Sequence, residues 1–263
     1  MSEPFMVWFN GELMASAGAV SADVNESYLL DRVNSFGDGV FETLMVQKGK
    51  ALLLDRHLKR LSDGLQRLSI PCVRDKLTND LQSIEPFIRK GENFILKIVV
   101  SRGSTVFGYS SQQTSVNRLL LLQPNKVEHF DALRLMVCET RLSMQPLLAG
   151  IKHCNRLEHV LARREVDRSG HDEGLLLDQQ GRVVEATAAN LFIVESDEFI
   201  TAPIVDAGVI GVVRDFLIED LIPQLGFPLR KEPIDLTRLK AADACLLTNS
   251  VQGLRQVASL QLS

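Results

Sequence analysis

Short apolar runs rich in β-branched residues alternate with leucine stripes at helical spacing along this chain, on both sides of one break. Strands show as runs of four to eight residues, and helices as apolar positions three and four apart. Phe94 to Val100 is the strongest strand, expected in the middle of a sheet, and Asn117 to Gln123 is another. Residues 5–14 read as a hairpin around Asn10-Gly11, and Val40 to Val46 pairs with Ala51 to Leu54 across the Lys48-Gly49 turn. Leu58, Leu61, Leu65 and Leu68 mark a helix capped by Asp55, and Leu77, Leu81, Ile84 and Ile88 a second over 75–90 that Gly91 stops.

Pro124-Asn125-Lys126 breaks the pattern. The expected division is an N-terminal domain over 1–123, a linker over 124–131 and a C-terminal domain over 132–263. In the second half, strands are expected at Leu133–Cys138, Gly174–Leu177, Val183–Glu185, Asn190–Val194 and Cys245–Leu247. Helices are expected over 155–169, from Gly208 to Leu225-Gly226, and from the Asp235 cap to Ala241. This is an α/β (α+β) chain of two domains, expected to hold its active site in the cleft between them.

Composition narrows the function. Of 263 residues, 24% are charged and the net charge is −4, without a basic block, which argues against nucleic acid or an anionic membrane as the main partner. Cys72, Cys138, Cys154 and Cys245 have no C-x-x-C spacing, so reduced thiols in a cytoplasmic protein are expected. No signal peptide, membrane-length apolar run or solenoid repeat is read. His153, Cys154 and His159 lack metal-ligand spacing, and no G-x-S-x-G elbow supports a serine hydrolase.

Four features carry possible chemistry. Lys152 follows Leu147, Leu148, Ala149 and Ile151; an ammonium is costly to bury alone, and a desolvated lysine can act as a free amine on a carbonyl. Glu185 ends a strand before small residues, where a carboxylate can hold a proton on a flat pyridine ring. Gly208-Val-Ile-Gly-Val-Val-Arg214 opens a helix, whose first N–H groups, those of Val212 and Val213 among them, suit a phosphate. Ser250 can add a hydroxyl and Arg60 a forked cation. Singly, each also reads as ordinary structure: a strand-edge lysine, a turn carboxylate, a helix entry.

Together the motifs resemble the fold-type IV family of pyridoxal-phosphate enzymes, which includes branched-chain aminotransferases, D-amino acid aminotransferases and aminodeoxychorismate lyases. The resemblance runs through Trp8-Phe-Asn-Gly11, Ser35-Phe-Gly-Asp-Gly-Val-Phe-Glu42, His57-Leu-Lys-Arg60-Leu, Lys152, Glu185-Ala-Thr-Ala-Ala-Asn190-Leu-Phe, Gly208 to Arg214 and Thr248-Asn-Ser250. It implies pyridoxal 5'-phosphate as cofactor and a homodimer. It also implies Lys152 as the Schiff-base lysine, Glu185 as partner of the pyridine nitrogen, and Arg60, Val212, Val213 and Ser250 around the phosphate. Leu148-Ala-Gly-Ile-Lys-His-Cys-Asn-Arg-Leu-Glu158 is most similar to the lyases, implying conversion of 4-amino-4-deoxychorismate to 4-aminobenzoate and pyruvate in folate synthesis. Arg102, Tyr109 and Asn155 are the expected substrate contacts. Thr105-Val106-Phe107 stand where the lyase pattern has glycines and an arginine, and Phe41 where D-amino acid aminotransferases carry a tyrosine. The alternatives are an aminotransferase for D- or branched-chain amino acids, and a catalytically silent carrier of the cofactor.

Overall fold

A computed structural model describes residues 5–16, 19–20, 26–89, 91–104, 108–111, 115–125 and 132–261. The chain divides into two compact units, Met1–Glu128 with Lys152–Asn155, and His129–Ile151 with Arg156–Ser263. The division after Glu128 falls inside the 124–131 stretch read as a linker. Lys152–Asn155 groups with the first unit, although the sequence reading gives it to the C-terminal domain. The cause is a short bridge to a strand of the first unit, described with the site below.

The first unit is built on β1 (Met6–Phe9), β2 (Glu12–Ser16), β3 (Ala19–Val20), β4 (Gly39–Gln47), β5 (Lys50–Ala51), β6 (Phe94–Ser101) and β7 (Asn117–Pro124). They form one antiparallel sheet in the order β3-β2-β1-β7-β6-β4-β5. β6 is interior, paired with β4 from Gly39↔Ser101 to Val46↔Phe94 and with β7 on its other side. Alternate residues Phe94, Leu96, Ile98 and Val100 are buried, with Leu44, Val46, Leu120 and Leu122 beside them. Helices Leu54–Arg67 and Arg74–Ile84 bury Leu61, Leu65, Leu77 and Ile84. By area burial, each such side chain stabilises the fold by about 1.5–3 kcal/mol before entropy is subtracted.

Two element ends differ from the sequence reading. Leu53, at φ 52°, turns the chain straight into the first helix, so β5 stops at Ala51 and Asp55 lies in the first turn rather than at the cap. The second helix stops at Ile84 and gives way to a 3₁₀ turn at Glu85–Phe87. Pro86 has no N–H to donate to the carbonyl four residues back, so the α-helical ladder ends before Gly91 can act.

The second unit holds β8 (Leu133–Leu142), β9 (Glu173–Asp178), β10 (Val183–Ala186), β11 (Asn190–Glu195), β12 (Glu198–Thr201), β13 (Leu229–Lys231), β14 (Ala244–Asn249) and β15 (Gly253–Gln261). Their order is β10-β9-β8-β15-β14-β11-β12-β13, with parallel pairs at β8–β9, β8–β15 and β12–β13. Parallel neighbours need a crossover, and the Leu157–Ser169 helix supplies it between β8 and β9, burying Ala162 and Val166. The segment from Val212 to Gln224 is helical but contains a π turn at Leu217–Leu221, with Leu217 and Ile222 packed on Phe192. Among the described residues, no helix is long and apolar enough to cross a membrane.

Candidate active site

Lys152 lies beside β4. The Phe41 N–H donates to the Lys152 carbonyl at 2.9 Å, the Cys154 N–H donates to the Gly39 carbonyl at 2.9 Å, and Val40 and His153 form an antiparallel bridge. These bonds fix the backbone that carries the amine. The Lys152 Nζ stands 4.3 Å from the centre of the Phe41 ring, close enough for a cation–π attraction. Asn155 donates its side-chain N–H to the Phe36 carbonyl at 3.0 Å and so pins the turn before β4.

Arg60 projects from the Leu54–Arg67 helix onto Glu42 of β4. Its Nε and Nη2 donate to the two Glu42 oxygens at 2.8 and 2.5 Å, and His57 Nδ1 lies 2.5 Å from the same carboxylate. Glu42 is 0% exposed. Burial alone would raise its pKa, but the hydrogen bonds from His57 and Arg60 outweigh it and hold the carboxyl below its ordinary value. Arg60, read from sequence as a phosphate ligand, thus has one edge of its guanidinium fixed by a buried anion.

Arg102 is buried at the end of β6 and directed into the fold. Its Nε donates to Asp38 at 2.8 Å, Nη1 to the Ser69 carbonyl at 2.9 Å and Nη2 to the Leu68 carbonyl at 2.6 Å. Asp38 also accepts from Arg32 Nε at 2.8 Å. Burial pushes its pKa up, and the two guanidinium bonds bring it below the ordinary value. Arg32, which the sequence reading passed over, also donates to the carbonyls of Gly108, Tyr109 and Ser110 and so fastens that loop. The Tyr109 side chain is 86% exposed, its ring 5.2 Å from Phe36. Thr105, Val106 and Phe107 lie outside the described residues.

In the second unit, Glu185 is the next-to-last residue of β10 and is only 4% exposed. Its Oε2 accepts from the Val209 N–H at 2.9 Å and from Asn190 Nδ2 at 3.3 Å, while His159 Nε2 lies 2.9 Å from Oε1. A carboxylate has about four lone-pair directions, so these three donors leave one, on Oε1. That direction fits a protonated pyridine nitrogen.

The Gly208–Arg214 loop is shaped by the same residues. Asn190 Nδ2 also donates to the Val209 carbonyl at 2.8 Å, and Gly150 pairs with Val209, donating to the Gly208 carbonyl at 2.9 Å. Gly208 has φ +86°, and a Cβ there would stand 2.7 Å from Val184; one at Gly211 would stand 2.0 Å from Asn190 Oδ1. No larger residue fits either place without moving a neighbour of Glu185. Gly211 caps the helix, so the N–H groups of Val212 and Val213 fall in a first turn that has no intrahelical acceptors. Arg214 is buried, donates to the Ala202 carbonyl at 2.9 Å, and has its pKa lowered by desolvation. Ser250 follows β14 in a turn that Asn249 closes by accepting the N–H groups of Val251 and Gln252.

Sequence reading missed His159 as a neighbour of Glu185, and Glu42 with His57 as the holders of Arg60. A signal existed for the first. His159 stands three and seven residues before the buried Ala162 and Val166, on the inward face of the helix.

Comparison with known proteins shows the family of the chain. The amino-transferase class IV family profile matches residues 39–260. An aminodeoxychorismate lyase of Vibrio harveyi is 34% identical over 235 residues, covering 88% of this chain and 86% of that protein. The crystal structure of 4-amino-4-deoxychorismate lyase from Pseudomonas aeruginosa superposes with a TM-score of 0.84 at 36% identity, covering 97% of this chain and 92% of that one. The Escherichia coli branched-chain amino acid aminotransferase shares the fold, with a TM-score of 0.85 at 21% identity, covering 97% and 86% of the two chains. The chain therefore belongs to the class IV aminotransferase family, the fold-type IV enzymes whose cofactor is pyridoxal 5'-phosphate.

Proposed function

We propose that this enzyme is a lyase that converts 4-amino-4-deoxychorismate to 4-aminobenzoate and pyruvate, a step of folate synthesis. The observation that carries the cofactor chemistry is the Glu185 carboxylate, buried with three N–H donors and one lone pair left over. The choice of substrate is supported by similarity to proteins that bear the lyase name at 34% and 36% identity over nearly the whole chain.

Each residue has a role in this reading. Lys152 is the residue that would hold the cofactor, through its side-chain amine, until substrate binds. Its freed amine then takes the proton from the carbon bearing the substrate nitrogen. The bound cofactor supplies an electron sink for the charge left on that carbon. Glu185 holds a proton on the ring nitrogen, which keeps that sink effective. The first-turn N–H groups of Val212 and Val213, the Ser250 hydroxyl and the Arg60 cation bind the phosphate. The substrate's enolpyruvyl group then departs, the carbocycle becomes aromatic, and the Lys152 ammonium returns its proton to the departing carbon chain. Asn155 holds the turn before β4 through the Phe36 carbonyl, Arg102 holds the Asp38 carboxylate, and Tyr109 offers an exposed ring for substrate contact.

The reaction needs no second substrate, whereas amino transfer needs a 2-oxo acid. Incubating the holoenzyme with aminodeoxychorismate alone should release pyruvate and 4-aminobenzoate in equal amounts. Exchange between an amino acid and a 2-oxo acid without pyruvate release would assign it to the aminotransferases, and a yellow protein inactive in both assays would be a silent carrier. We also infer a homodimer, supported by Leu147 and Leu157, 78% and 71% exposed, with Val160 and Leu161 on the following turn. Sedimentation equilibrium should give twice the chain mass. A cytoplasmic location is part of the proposal, supported by four free cysteines.

A further inference from the structure

We propose that His159 is a positioning residue that sets the aim of Glu185. The inference rests on the cofactor reading above, in which Glu185 faces the ring nitrogen. His159 Nε2 lies 2.9 Å from Glu185 Oε1, and both side chains are nearly buried. An ionised carboxylate can only accept, so the hydrogen sits on Nε2. The other ring nitrogen, Nδ1, is buried with no hydrogen-bond partner. The imidazole therefore makes one directed bond, and that bond ends on the acid.

The remaining donors explain why this bond matters. Val209 and Asn190 both bond to Oε2, so they fix one oxygen and leave Oε1 to His159. Oε1 is also the oxygen with the spare lone pair. Without His159, Oε1 loses its only donor among the described residues, and no other bond there holds it toward the ring nitrogen. The acid would then be free to turn from the ring nitrogen, which would lose the partner that holds its proton. His159 thus directs the remaining lone pair of Glu185. It acts through Glu185 and touches no reacting atom.

A glutamine at 159 can place an amide N–H where the imidazole Nε2 stands; an asparagine is too short and a leucine cannot donate. The test uses His159→Gln, His159→Asn and His159→Leu, with two readouts on purified protein. The first is the dissociation constant for pyridoxal 5'-phosphate added to the apo-enzyme. The second is the nitrogen NMR shift of cofactor labelled with ¹⁵N in its ring, which reports whether that nitrogen carries a proton. The wild type and His159→Gln should show a protonated ring nitrogen and cofactor affinities within about twofold of each other. His159→Asn and His159→Leu should bind on the order of tenfold more weakly, as expected for the loss of a hydrogen bond to a charged group, with a deprotonated or mixed signal. Using two donor-deficient variants guards against one failing to fold. A protonated nitrogen with unchanged affinity in all three variants would overturn the role of His159. A wild type that fails to bind the cofactor, or binds it with the ring nitrogen unprotonated, would instead overturn the cofactor reading itself.

Discussion

Replacing Glu42 with glutamine tests the buried charge cluster that holds Arg60. Glu42 is inaccessible to water and accepts from Arg60 at 2.8 and 2.5 Å and from His57 at 2.5 Å. Glutamine keeps the shape but offers one acceptor oxygen, and its NH₂ must face a donor. Arg60 then loses its counterion in a site where its side chain is 13% exposed. Breaking a buried pair in this way costs about 3–5 kcal/mol, out of a total stability of about 5–15 kcal/mol. With a urea slope of about 2 kcal/mol per molar, the midpoint should fall by roughly 2 M. The pH dependence has a definite sign. The folded-state pKa of Glu42 is lowered, so its stabilisation is present above the unfolded value and is lost as pH falls through the folded value. Urea titrations of the apo-protein, from neutral pH down to the acid range, should show the variant closing its gap to wild type as the wild-type carboxyl protonates. A loss under about 1 kcal/mol at neutral pH, or a gap that does not narrow in acid, would refute the claim that this anion is held by Arg60 and His57.

Three further outcomes follow from the site. Lys152→Ala should abolish turnover and the near-visible absorption of the lysine-bound cofactor, while unfolding in urea shifts by no more than the ~0.5–2 kcal/mol of its contact with the Phe41 ring. Glu185→Gln should fold, bind cofactor weakly and react at least about a hundredfold more slowly, because the ring nitrogen loses its anionic partner; steady-state pyruvate release checks this. Gly211→Ala places a Cβ 2.0 Å from Asn190 Oδ1, so it should destabilise the apo-protein by about 1–3 kcal/mol in a urea titration and weaken cofactor binding together.

Some of this molecule is written in short windows of sequence, and those parts were legible. Gly208 to Arg214 is a loop whose glycines and helix start lie within seven residues, so its form follows from local sterics. The strands β4, β6 and β7 were read nearly to their ends because each is a largely apolar run of strand length. Arg102 was not legible in the same way. Its partners Asp38, Leu68 and Ser69 lie 64, 34 and 33 residues away, so nothing near it in sequence shows that its guanidinium is committed to the fold. The His159–Glu185 pair spans 26 residues and is formed only when the crossover helix packs on β8 and β9. β15 was missed because most of its side chains face water and leave little apolar pattern, although it lies between β8 and β14. Local chemistry predicted which residue types matter, and long-range packing decided which of them the fold had already engaged.

Borohydride reduction of the purified holoenzyme, followed by peptide mapping, tests the central claim most directly. Reduction freezes the bond between cofactor and lysine, so the phosphopyridoxyl group should be found on the peptide that carries Lys152. Finding it on another lysine, or on none in a protein that absorbs as the holoenzyme, would contradict the account.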